Sequence, residues 1–90
     1  MPTLRIPTPL RAYTTGQSEV QVEGATVSEA LDNLIAIHPA LKPHLYSDSE
    51  ELRPFVNLFL GEENIKELQG LATPLKSDDR LMLVPSIAGG

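Results

Sequence analysis

The chain contains no cysteine. That excludes a disulfide, a thiolate-bound metal and a thiol nucleophile, and it leaves the redox compartment unreadable from cysteine pairing. Cationic residues are also scarce, seven Lys and Arg against twelve Asp and Glu, for a net charge of −5. Binding nucleic acid through its phosphates needs a clustered basic surface, which this balance argues against. It suits a protein that docks on positively charged partner surfaces. No apolar run is long enough to cross a bilayer, and the opening Met1-Pro2-Thr3-Leu4-Arg5 lacks the apolar stretch of a signal peptide. A cytoplasmic protein with neither membrane nor nucleic acid as partner is expected. Internal repeats, linkers and low-complexity segments are absent as well.

What is present is the make-up of a small folded domain. Ninety residues fit one domain, and such a chain buries only about 60–65% of its extended surface, so its core must be economical. An apolar fraction of 41% is ordinary, and 21% charged residues are too few for a disordered chain. Alternation through Thr3-Leu4-Arg5-Ile6 predicts a half-buried strand with Leu4 and Ile6 inward. Pro7 and Pro9 stop it, and Leu10 to Gln17 read as a loop turning at Gly16. Glu19-Val20-Gln21-Val22-Glu23 alternates again, ends at Gly24, and should form an antiparallel hairpin with the first strand.

Thr26-Val27-Ser28-Glu29 is a capping box, followed at helical spacing by Val27, Ala30, Leu31, Leu34, Ile35 and His38. Pro39 should end that helix near His38. Residues 40–54 carry no sustained period, although Ala40-Leu41 and Leu45-Tyr46 suggest a short helical turn below the core. A third strand is expected at Phe55 to Leu60, a turn at Gly61 to Asn64, a compact connector from Ile65 to Leu75, and a last strand from Leu81 to Val84 whose pairing Pro85 ends. One amphipathic helix among four strands must cover one sheet face, which gives an α+β two-layer domain. The helix crossover should set a later strand parallel to an earlier one. The domain should span residues 1–85, with a flexible tail over 86–90.

Few residues invite a catalytic reading. His38 at a helix end and His44 in a loop have no third well-spaced ligand, so structural or solvated roles are expected and no metal site is assigned. Asp48, Glu50 and Glu51 read as a solvated loop, and Thr8 and Ser86 have no nearby signature of a nucleophile with its base. Arg11 and Arg80 read as surface charges, with steering of acidic or phosphorylated ligands as the sharper alternative. If Leu81 and Leu83 face the core, strict alternation sends Met82 and Val84 outward, and Phe55, Asn57 and Phe59 likewise when Val56, Leu58 and Leu60 face in. Phe59, Met82 and Val84 would then form an exposed apolar patch, a candidate partner surface, unless the connector at 65–75 covers it.

Several short motifs occur in a telling order. They are Ile6-Pro7-Thr8-Pro9-Leu10-Arg11, Gly24-Ala25-Thr26-Val27, Phe55-Val56-Asn57, Gly70-Leu71-Ala72-Thr73-Pro74-Leu75, Asp78-Asp79 and Pro85-Ser86-Ile87-Ala88-Gly89-Gly90. In this order the chain resembles the ubiquitin-like sulfur carriers of the MoaD/ThiS group. The Pro-x-Ile-Ala-Gly-Gly ending and the Phe-Val-Asn strand are most similar to the CysO-like carriers of bacterial cysteine biosynthesis. The resemblance implies a β-grasp fold, a mixed four- to five-stranded sheet with one main helix packed on one face.

It also implies a function: not an enzyme but a protein cosubstrate, adenylated at Gly90 by an E1-like adenylating and sulfurtransferase enzyme and then converted to a thiocarboxylate. That chemistry answers a physical problem, because a terminal carboxylate with a pKa of about 3.5 is ionised at neutral pH and is a poor electrophile. Ile87, Ala88 and Gly89 would enter the partner's channel, glycine fitting where a Cβ would not. ATP and Mg²⁺ would belong to the activating enzyme, with no cofactor on this chain. The sulfur acceptor would be a PLP-dependent cysteine synthase, with a metalloprotease releasing the product. The alternatives are a small subunit seated in the molybdopterin synthase large subunit, and a ubiquitin-like modifier or binding module.

Overall fold

The computed structural model describes residues 1–47, 52 and 56–85. The acidic run at 48–51, Phe55 and the tail at 86–90 lie outside the described residues. Strand β1 (Thr3–Arg5) pairs antiparallel with β2 (Glu19–Gln21), Leu4 standing opposite Val20. Both are shorter than their alternation predicts. Ile6 and Val22 fall outside the strands yet stay buried, and the pairing continues past the ladder through the Ile6 N–H to the Ser18 carbonyl (2.8 Å) and the Val22 N–H to the Pro2 carbonyl (3.0 Å). Pro2 has no N–H with which to return the second bond, so the ladder stops there.

The loop expected between these strands contains a 3₁₀ helix over Thr8–Tyr13. Proline is tolerated in a first helical turn, where its missing N–H would have no partner anyway. Leu10 then anchors the turn by entering the core. Thr14, fully buried, closes it by donating its hydroxyl to the Gln17 carbonyl at 2.9 Å. Gly16 does turn the chain, at φ +83.

Helix α1 (Val27–Ile37) starts where the capping box predicts. The Glu29 N–H donates to Thr26 Oγ1 (3.2 Å), while the Glu29 carboxylate accepts from the Ala25 N–H (3.0 Å), one residue further back than a reciprocal box requires. Val27, Ala30, Leu31 and Leu34 are buried against Leu4, Val20, Leu58, Leu81 and Leu83 in one continuous core. The helix ends at His38, ahead of Pro39. A 3₁₀ turn (Pro39–Leu41) and the single-turn helix α2 (Lys42–Leu45) follow, burying Leu41, Leu45 and Tyr46.

β3 (Val56–Leu60), β4 (Glu63–Asn64) and β5 (Arg80–Pro85) complete a five-stranded sheet in the order β2-β1-β5-β3-β4. The crossover does place β5 parallel to β1, and it brings β3 antiparallel to β5. Two details differ from the sequence reading. The turn after β3 is confined to Gly61 and Glu62, so Glu63 and Asn64 are free to form β4; Gly61 allows the tight reversal with φ +64. And Pro85 does not end the pairing, since it is the partner of Val56. The β1 ladder stops at Met82, so beyond that point one side of β5 is an edge, where proline is tolerated.

The connector holds 3₁₀ turns at Ile65–Glu67 and Gly70–Ala72. It docks on the start of α1, the Val27 N–H donating to the Thr73 carbonyl (3.0 Å) and the Leu75 N–H to the Ala25 carbonyl (2.8 Å). Together with the helices it covers one sheet face, and among the described residues the other face stays open around Met82, which is exposed.

Candidate functional site

β5 is the element that delivers the chain toward its C-terminal residues, and its alternation sets up the open face. Leu81 and Leu83 are buried, at 0% and 1% exposure, while Met82 is 43% exposed. The antiparallel register puts Met82 directly opposite Phe59 and Val84 opposite Asn57, so Phe59, Met82 and Val84 do share one face. Phe59 and Val84 are half-buried. The connector lies on the opposite side, against α1, and none of its residues lines the cavities described next.

Two shallow grooves cross this face. One, of about 210 Å³, lies over Thr3, Arg80 and Phe59; the other, of about 260 Å³, runs past Thr8 and Arg11 to Val84. Arg5 and Met82, neighbours across the parallel β1–β5 ladder, form the wall common to both. Arg5 was not picked out from the sequence, although the alternation that buries Leu4 already turns it outward.

The arginines divide in role. Arg80 Nη1 lies 3.3 Å from Glu19 Oε2, with side chains 73% and 44% exposed, so water screens that pair and it contributes little to stability. Arg11, expected as a plain surface charge, instead donates from Nε to the Ile6 carbonyl (3.1 Å) and ties the 3₁₀ turn to the end of β1. Arg5 is exposed and makes no ion pair among the described residues. On the rim, Asn64 Nδ2 donates to Asn57 Oδ1 (3.3 Å), which fixes the polar border beside Phe59.

The histidines stand in separate environments. His38 is buried, and its Nε2 has no partner among the described residues; the ring of His44 stacks on Tyr13 with centroids 4.1 Å apart. No group of three His, Asp or Glu side chains among the described residues could hold a metal ion, and no described helix is long and apolar enough to cross a membrane. Burial raises the Tyr46 phenol above its ordinary value, and the charge of Asp32 adds to the rise. Gly90, Gly89, Ala88, Ile87 and Ser86 lie outside the described residues. Pro85, the last described residue, stands at the Val56 end of the sheet, three positions past the point where β1 pairing stops at Met82 and one past Val84.

Similarity to known proteins spans the domain and the tail together. The ThiS family matches residues 4–90. The sulfur carrier protein CysO of Mycobacterium tuberculosis is 33% identical over 90 residues, covering 98% of this chain and 97% of the carrier. Small archaeal modifier protein 1 of Haloferax volcanii is 36% identical over 72 residues, covering 79% and 78% of the two chains. A crystal structure of the Amycolatopsis orientalis BexX/CysO complex contains a chain that superposes with a TM-score of 0.90 at 36% identity, each chain covered in full. With its mixed five-stranded sheet, helices on one face and a family match running to residue 90, the chain belongs to the ThiS family and has the ubiquitin-like β-grasp fold.

Proposed function

We propose that this chain is a sulfur carrier that is charged at the carboxylate of Gly90. The observation that carries the reading is the ThiS family match, which extends through the diglycine to residue 90. An oxygen of the carboxylate attacks the α-phosphorus of ATP held with Mg²⁺ in an E1-like enzyme; pyrophosphate leaves and an acyl-adenylate forms. Hydrosulfide from a sulfur donor then attacks the acyl carbon, AMP departs and the S–H proton is lost, so that a thiocarboxylate remains with no change of oxidation state. This chain supplies the acyl group and the docking face and is a cosubstrate in the step. Arg5, Phe59, Met82 and Val84 are the residues assigned to that docking, and Ile87, Ala88 and Gly89 to threading the partner's channel. Similarity to CysO carriers supports cysteine biosynthesis as the pathway; the acceptor in this reading is a PLP-dependent synthase. The similar chain in the BexX/CysO structure is part of a complex, which supports a protein partner for this chain as well.

The test is intact mass spectrometry after incubation with ATP, a sulfur donor and the cognate activating enzyme. Exchange of one carboxylate oxygen for sulfur is expected in the wild-type chain and not in a variant lacking Gly90, whose thermal stability should match wild type within error. Absence of the exchange with a verified activating enzyme refutes the reading. A second reading, a protein modifier, is favoured by the similarity to small archaeal modifier protein 1, and adducts on lysines of other proteins would select it.

A further inference from the structure

One rung of pairing crosses all five strands and holds the centre of the open face. Glu19 stands opposite Arg5, Arg5 opposite Met82, Met82 opposite Phe59 and Phe59 opposite Asn64, so these side chains share one side of the sheet. Adjacent strands lie about 4.8 Å apart. A partner that covers Phe59 and the exposed Met82 therefore also covers Arg5, the next residue on the rung.

The charge of this face is opposite to that of the chain. Overall the sequence carries −5. Among the described residues, the ionisable side chains lining the two grooves are Arg5, Arg11, Arg80 and Glu19, three cations against one anion. Glu19 lies 3.3 Å from Arg80 Nη1 and also stands across the ladder from Arg5, so its one carboxylate neutralises one guanidinium, whichever it serves. Arg11 Nε donates to the main-chain carbonyl of Ile6, which satisfies a donor without supplying a counter-charge. Arg5 itself is exposed and makes no ion pair among the described residues. In the free chain, water solvates it. Under a partner that water is displaced, and a guanidinium left there without an anion is strongly disfavoured. A carboxylate accepting two parallel bonds matches its planar fork.

We propose that the partner surface covering this face carries an Asp or Glu carboxylate that pairs with Arg5, set in an apolar patch that packs on Met82 and Phe59. This surface belongs to the activating enzyme and so presupposes the reading in which Gly90 is charged. Its centre is acidic, the reverse of the basic surface that the net charge of the chain favours. A partner presenting Lys or Arg at that point is rejected by repulsion, which makes Arg5 a specificity residue of the docking step. A second copy of the chain, docked face to face, is disfavoured as occupant because each copy brings the same excess of arginines.

The experiment follows thiocarboxylate formation by intact mass against carrier concentration, using the full chain, ATP, a sulfur donor and the cognate activating enzyme. Arg5→Gln should raise the KM for the carrier about tenfold with kcat within about twofold, and Arg5→Glu should raise it at least about fiftyfold. Arg5→Lys, which keeps the charge without the fork, should recover part of the loss. Raising NaCl from about 50 to about 300 mM should weaken the wild-type chain more than Arg5→Gln. The position is exposed, so each variant should melt within a few degrees of wild type. An unchanged KM for Arg5→Gln, a KM lowered by Arg5→Glu, or an effect confined to kcat or to the KM for ATP each overturns the proposal while charging of Gly90 stands. If the wild-type chain gains no sulfur from a verified activating enzyme, the proposed function fails and this docking chemistry falls with it.

Discussion

Gly24 sits between β2 and the cap of α1, and the structure makes it a steric position. A Cβ built there would lie 2.6 Å from the Ala30 nitrogen and 2.9 Å from its Cα, both main-chain atoms, and 3.2 Å from the Ala30 Cβ. The Ala30 N–H also donates to the Thr26 carbonyl at 3.0 Å, so the clash falls on an early bond of the helix. Gly24→Ala must push the junction away from α1. Overpacking of this kind costs about 1–3 kcal/mol, and loosening the Glu23–Asn33 bond and the Ala25–Glu29 bond adds roughly 1 kcal/mol. The predicted loss is about 2–4 kcal/mol, a large share of the roughly 5–13 kcal/mol that stabilises a domain of this size. Thermal unfolding followed by circular dichroism should show Tm lower by on the order of 10–30 °C. Gly16→Ala is the control: a Cβ there meets nothing within 4 Å, so only the φ of +83 penalises it, by about 1–2 kcal/mol. A Tm for Gly24→Ala within a few degrees of wild type would refute the steric argument. So would rescue by Ala30→Gly in a double-mutant cycle, because the closest contacts are to backbone that Ala30→Gly leaves in place.

Thr26→Ala removes the oxygen that accepts from the Glu29 N–H and should cost about 1 kcal/mol in urea unfolding, with charging of Gly90 unaffected. Met82→Gln, at an exposed position, should leave stability within about 1 kcal/mol of wild type and, under the proposed function, raise the KM of the activating enzyme about tenfold with little change in kcat; an unchanged KM would remove Met82 from the docking face. Tyr46 keeps its proton more tightly when folded, first through burial and then through Asp32, so its contribution is complete below pH about 10 and is lost as the pH rises from there through the higher folded value. Tyr46→Phe should therefore show a shallower loss of stability than wild type between neutral and strongly alkaline pH, and identical slopes would argue against the raised value.

Local signals in the chain were strong where one residue type decides the backbone. Thr26 and Glu29 announced the start of α1, Pro39 its end, and the alternation through Leu81 and Leu83 both the orientation of β5 and the outward set Phe59, Met82 and Val84. The α+β order and the parallel β1–β5 pairing followed from one amphipathic helix with only one sheet to cover, and the ordered motifs ending in Gly89-Gly90 carried the family. Tertiary structure decided what depends on contacts far apart in sequence. The 3₁₀ helix at Thr8–Tyr13 exists because Leu10 finds the core and Arg11 finds the Ile6 carbonyl, neither of which periodicity can reveal in so short a segment. β4 and the last rung at Pro85 depend on where β3 and β1 begin and stop, a matter of register between distant strands. Arg5 joins Met82 at the centre of the open face only once β1 and β5 lie side by side, and β2 becomes an edge only through the order in which the strands assemble. Sequence by itself determined the faces of the strands and the family of the chain, because alternation, capping and motif order are local. Which faces stay open, and which residues from separate strands share them, was decided by the order in which the strands assemble.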